Sequence, residues 1–185
     1  MSVTKKKLEE LDVMDDFLMS AIASNPEVGV PFCRRLLSVL LQREIGQVRV
    51  MAQYSIPAAT PGLRGIRMDV EVEEIVKDKE SGEEGIANVY DVEPHLEDKC
   101  NLPRRNRFYQ AKIDGSHMVS GQKDFSALPN LYVITITDYD PFGLDYMMYT
   151  IHNKCEEVPD MQYNDGLQFI YFYTEGIYGL SFRKL

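Results

Sequence analysis

IRMDVEVEEIV, residues 66–76, and IANVYDVEPH, residues 86–95, decide how this chain folds. In the first stretch Ile66, Met68, Val70 and Val72 fall on one parity, and Arg67, Asp69, Glu71 and Glu73 on the other. That alternation is the mark of a strand with one apolar and one polar face. The second stretch follows the same pattern and ends on Glu93, Pro94 and His95. The acidic, glycine-containing segment Lys77–Gly85 between them reads as a turn, so the strands form a hairpin. Residues two apart on a strand share a face, which puts Glu93 and His95 together. If the hairpin aligns them with Asp69, the three side chains converge. Glu71 and Glu73 are expected to be solvated charges on the polar side.

Working outward, Leu11–Ser24 carries Val13, Phe17, Leu18, Ala21 and Ile22 at helical spacing, and Asn25 and Pro26 stop it. Pro31 suits the first turn of a second helix, Phe32–Arg43, which Gly46 ends. Val48–Ile56 reads as a strand. Downstream, Pro103 opens a helix from Arg104 to about Val119. Leu131–Thr137 is a β-branched run, the pattern of a strand buried on both faces. Tyr146–Asn153 and Leu167–Tyr173 make a further strand pair, with Asn164, Asp165 and Gly166 as turn residues. Helices precede and interrupt a mixed sheet, so the class is α/β or α+β.

The chain has 185 residues, 44% apolar and 26% charged, which fits one domain with a real core. Residues 1–10 are expected to fray, leaving residues 11–185 as that domain. No apolar run approaches the ~20 residues of a membrane span, and no signal core follows the lysine-rich start, so a cytoplasmic location is expected. Three widely spaced cysteines, Cys33, Cys100 and Cys155, do not suggest a disulfide framework. The net charge of −9 argues against broad, passive nucleic-acid binding. It leaves room for a nuclease, because acids that hold a cation make the empty chain more negative.

Asp69 and Glu93 are the candidates for chemistry. Two carboxylates held close resist joint ionisation, and a hard divalent cation such as Mg²⁺ removes that conflict. The competing reading is a pair of solvated strand charges. Lys99, Arg104, Arg105, Arg107 and Lys112 gather around the start of the third helix, with Tyr109 and Gln110 one turn on. Helix N-termini and arginines both suit phosphate; a solvated helix face is the alternative. Asp15 and Asp16 in the first helix suit its N-terminal dipole, and Asp16 is kept as a further candidate acid. His152 with Cys155, and His95 with Cys100, lack zinc-site spacing. His117 has no evident partner and reads as a surface residue.

Five segments taken in order, MDDFLMSAIASNPEVGVPFCRRLL, GIRMDVEVEE, NVYDVEPH, LPRRNRFYQAKID and YVITITDYDPFG, resemble the PD-(D/E)XK nuclease family transposases, the recombination-promoting nuclease group. The resemblance runs from about Leu8 to Gly176. It implies a restriction-endonuclease-like core of helix, three-stranded meander, helix and strand, with the C-terminal strand pair added. It also implies an Mg²⁺-dependent DNA endonuclease, with Mn²⁺ as alternative ion, in transposition or recombination. Asp69 then stands at the motif aspartate and Glu93 at the motif glutamate, both as metal ligands. His95 stands where lysine or glutamine is usual, and Arg104, Arg105, Arg107, Tyr109 and Lys112 would contact DNA.

The histidine and the neighbouring Pro94 depart from the motif. A histidine of ordinary pKa, ~6.5, accepts a proton where lysine would orient water and offset charge. An inactive nucleic-acid-binding or protein-interaction module on the same fold is therefore the alternative. A third reading is a remnant that lacks the family's C-terminal helical stretch. Homodimerisation is left open.

Overall fold

The structure is a computed structural model that describes residues 16–79, 81–96 and 101–179. Two short helices, α1 (Asp16–Ala23) and α2 (Gly29–Leu41), come first. Four strands follow, β1 (Gln47–Ala52), β2 (Ser55–Ile56), β3 (Ile66–Arg67) and β4 (Val70–Lys77), then the long β5 (Glu84–His95). The helix α3 (Leu102–His117) leads through one 3₁₀ turn to β6 (Asn130–Thr137), β7 (Met148–Ile151) and β8 (Leu167–Tyr173). The architecture is mixed α/β with a six-stranded sheet in the order β1-β4-β5-β6-β8-β7. β1, β4 and β5 form an antiparallel meander; β6 is parallel to both β5 and β8; β7 closes the far edge antiparallel to β8.

The continuous strand expected over residues 66–76 is interrupted at Met68 and Asp69. Ile66–Arg67 pairs with Ser55–Ile56, and Val70–Lys77 with Gln47–Ala52. The register carries on across the break, where Met68 N–H donates to Tyr54 O and Gln53 N–H to Asp69 O, both at 2.8 Å. Gln53 adopts φ 54°, a left-handed kink in the partner strand. The interruption therefore bends one hairpin, and Asp69 sits at the bend.

The helices cover both faces of the sheet. Met19, Cys33, Leu37 and Leu40 of α1 and α2 pack against Val70, Val72, Tyr90, Val92, Ile134 and Phe172. On the opposite face Tyr109 and Ile113 of α3 meet Met68, Val89, Leu131 and Val133. Each such side chain contributes about 1.5–3 kcal/mol on full burial. β6, central in the sheet, is buried on both faces, which accounts for its nearly continuous β-branched run, unbroken over residues 133–137.

Local sequence sets the helix ends. Asn101 caps α3 through its side chain to Arg104 N–H at 3.2 Å, with Pro103 in the first turn. Gly29 opens α2 against Ala23 O, where any Cβ would lie 2.3 Å from that oxygen. Among the described residues no helix is long and apolar enough to cross a membrane. The fraying expected of residues 1–10 falls outside the described residues.

Candidate metal centre

The β4–β5 register sets Val70 opposite Val92 and Glu71 opposite Asp91. One pair further on, Asp69 N–H donates to Glu93 Oε1 at 2.8 Å. The bend at Asp69 and the end of β5 thus bring the two sequence candidates together, the backbone of Asp69 on the carboxylate of Glu93. Alternation puts Glu71 and Glu73 of one strand on the same sheet face as Asp91, Glu93 and His95 of the next, and Asp69 lies near enough for its charge to help raise Asp91.

That face is the one α3 covers. Glu71 is 1% exposed, Asp91 0% and Glu93 2%, while Asp69 is half-buried. The expectation that Glu71 and Glu73 are solvated charges is overturned, since both are buried. An alternating pattern identifies a polar face but not whether another element packs on it. Glu73 is balanced by Arg49, whose Nη1 lies 2.8 Å from Glu73 Oε2.

Arg105 reaches from α3 to the sheet and pairs with Glu93 Oε2. Its guanidinium lies 4.0 Å from the centroid of the Tyr109 ring. The Tyr109 hydroxyl donates to Arg67 O at 3.2 Å, fixing the ring beneath the cation. Asn106, between them, donates to Thr135 Oγ1 at 2.9 Å.

The acids outnumber their partners. Both carboxylate oxygens of Asp91, Glu71 Oε2 and Asn106 Oδ1 are buried and receive no hydrogen bond. Burial first, and then the charge of Glu93, push the Asp91 carboxyl well above its ordinary range; Arg105 opposes the rise. Burial also raises Glu93, opposed by Arg105 and by the Asp69 N–H. Burial, and then Glu73, push Glu71 up to about 7. Buried carboxylate oxygens that receive no hydrogen bond suit a cation. All are hard oxygen ligands, the donor set that magnesium and manganese take.

His117, in the last turn of α3, is not the surface residue expected. Its Nε2 is buried without a partner, and burial lowers its pKa. One ligand atom each of Glu71, Glu73 and His117 lies within 4.8 Å of the others, a group able to hold a metal ion of unspecified kind.

The remaining candidates are dispersed. His95 ends β5, half-buried, its ring edge-on to Tyr139 with centroids 6.3 Å apart. Arg104 and Arg107 are exposed on α3, and Lys112 lies with Nζ 5.7 Å from the Phe108 ring. The basic cluster therefore divides, Arg105 and Tyr109 turning to the sheet and Arg104 and Arg107 to solvent. Cys33 is buried in the helical layer and Cys155 donates to Glu157, so neither joins a histidine. Asp15, Lys99 and Cys100 fall outside the described residues, as does the side chain of Asp16, the residue that opens α1.

Asp91 is the buried acid of this face that the alternation reading passed over. Its signal was available, because it shares parity with Glu93 and its hairpin partner is another acid. Comparison of the chain with family models, with curated proteins and with solved structures returned no match.

Proposed function

We propose that the chain is an Mg²⁺-dependent DNA endonuclease of the PD-(D/E)XK type, serving transposition or recombination. The contact between Asp69 N–H and Glu93 Oε1, beside the donor-less carboxyl of Asp91, carries this reading. The resemblance assigns Asp69 and Glu93 to the metal, and Asp91 supplies a third oxygen group beside them. The order of helix, antiparallel meander, helix and parallel strand agrees with the core that the resemblance implies.

Bound there, Mg²⁺ or Mn²⁺ would supply an activated water and offset charge on a phosphodiester. The residues of the chain have the following parts. Asp69, Asp91 and Glu93 hold the ion. Arg105 fixes the Glu93 carboxylate, and Tyr109 fixes Arg105, so the acid is oriented before substrate arrives. His95, two residues beyond Glu93 on the same face, accepts a proton from the attacking water or orients it. Arg104 and Arg107, exposed at the start of α3, contact the DNA backbone, so binding is local and salt-sensitive in a chain of net charge −9.

One observation favours a second reading, an inactive binding module on the same fold. Glu93 is almost wholly buried and already paired with Arg105, an arrangement that neutralises the acid without any ion. Supercoiled plasmid separates the two. Nicking that needs Mg²⁺ or Mn²⁺ and disappears in Asp69→Ala is the enzyme's result. DNA binding without cutting, indifferent to Asp69→Ala and weakened by Arg104→Ala, would replace it with the module.

A further inference from the structure

We infer that Glu71, Glu73 and His117 form a second metal site, selective for a borderline first-row divalent ion such as Zn²⁺ or Co²⁺, that pins the last turn of α3 to β4. The three donors come from two elements far apart in sequence, β4 and the last turn of α3. One ligand atom from each lies within 4.8 Å of the others. Atoms sharing one ion at about 2.1 Å sit roughly 3–3.5 Å apart, so closure needs only rotamer-scale movement.

Two independent features point to a ligand. Glu71 is 1% exposed and its Oε2 receives no hydrogen bond. His117 Nε2 is likewise buried with no partner. An acceptor pair of carboxylates facing an unengaged imidazole nitrogen is what a cation would complete. Arg49, on Glu73 Oε2, would hold that carboxylate in orientation from outside the site. The nitrogen ligand disfavours Mg²⁺ and Ca²⁺, which prefer oxygen alone.

A cavity of about 340 Å³ opens against His117, lined also by Arg49, Ile75, Glu84 and Pro129. With three protein ligands, a water or small anion from that cavity can take a remaining position. The site adjoins the one proposed at Asp69 and Glu93, since Glu71 stands opposite Asp91 in the sheet, but it shares no ligand with Asp69 or Glu93.

Metal-free protein titrated with Co²⁺, followed by its visible d–d absorption, tests this without any activity assay. Wild type is expected to develop a band typical of low coordination number that Zn²⁺ displaces. Asp69→Asn and Glu93→Gln should keep it. His117→Gln should lose it, weakening Co²⁺ binding by more than the 10–100-fold typical of losing a supporting group. Glu73→Gln is the second variant should His117→Gln lose its far-ultraviolet dichroism. An unchanged band in either folded variant, or no such band in wild type, overturns the site.

Discussion

Replacing Arg105 by alanine removes the cation that opposes the raised pKa values of both Asp91 and Glu93. The ion pair is deep, with side chains 22% and 3% exposed, so its loss strands a buried charge. Breaking such a pair costs about 3–5 kcal/mol, and the lost cation–π contact with Tyr109 adds about 1 kcal/mol. Part of this is recovered when Glu93 takes up a proton. Both acids are raised in the fold, so the folded chain binds more protons than the unfolded one and loses stability as pH rises. Without Arg105 that slope steepens, by up to about 1.4 kcal/mol per pH unit for each additional proton. The deficit of Arg105→Ala is thus expected near 3–4 kcal/mol at about pH 8, shrinking to about 1 kcal/mol near pH 5. Urea unfolding followed by far-ultraviolet circular dichroism, in chelator, measures it; the chain has no tryptophan to report by fluorescence. The double variant with Glu93→Gln should be more stable at pH 8 than Arg105→Ala alone. A deficit below about 1 kcal/mol at pH 8, or one independent of pH, would refute the electrostatic account of this face.

On the other sheet face, burial raises Glu74, but hydrogen bonds from Tyr90, Gly46 N–H, Asn88 and Arg43 outweigh it and hold the carboxyl at about 2. Its stabilisation, up to about 3 kcal/mol, is present above the ordinary carboxyl pKa and lost as pH falls toward 2. Glu74→Gln should therefore cost about 2–3 kcal/mol at neutral pH and progressively less in an acid titration below pH 4; a constant cost would contradict this. Gly29→Ala sets a methyl 2.3 Å from Ala23 O and should lower stability by about 1–3 kcal/mol, seen as a drop in Tm. His95→Lys restores the usual third residue of the motif and should raise the plasmid-nicking rate at neutral pH; an unchanged rate would remove His95 from the chemistry.

Strand alternation in residues 66–76 and 86–95, with one turn between, was enough to make Asp69 and Glu93 neighbours. It could not reveal that α3 lies over them, because α3 looks charged on all sides from its sequence. Its buried positions, Leu102, Asn106, Tyr109 and Ile113, follow helical spacing, and His117 continues that stripe, but asparagine and histidine do not read as core. The same gap turned Glu71 and Glu73 into apparent surface charges. The break at Asp69 was invisible for another reason, since the kink belongs to Gln53 in the partner strand. At the C-terminal end, Leu167–Tyr173 was legible in full because Gly166, at φ 74°, marks its start. The strand expected over Tyr146–Asn153 is shorter, as Tyr146 bridges instead to Tyr178.

The most direct measurement is Mn²⁺ binding, followed by electron paramagnetic resonance, in protein carrying His117→Gln so that the second site is silent. One equivalent should bind, and adding Asp69→Asn or Glu93→Gln should weaken that binding by at least about tenfold. Binding unaffected by either change, or none at millimolar Mn²⁺, would mean that these two acids do not hold a catalytic ion.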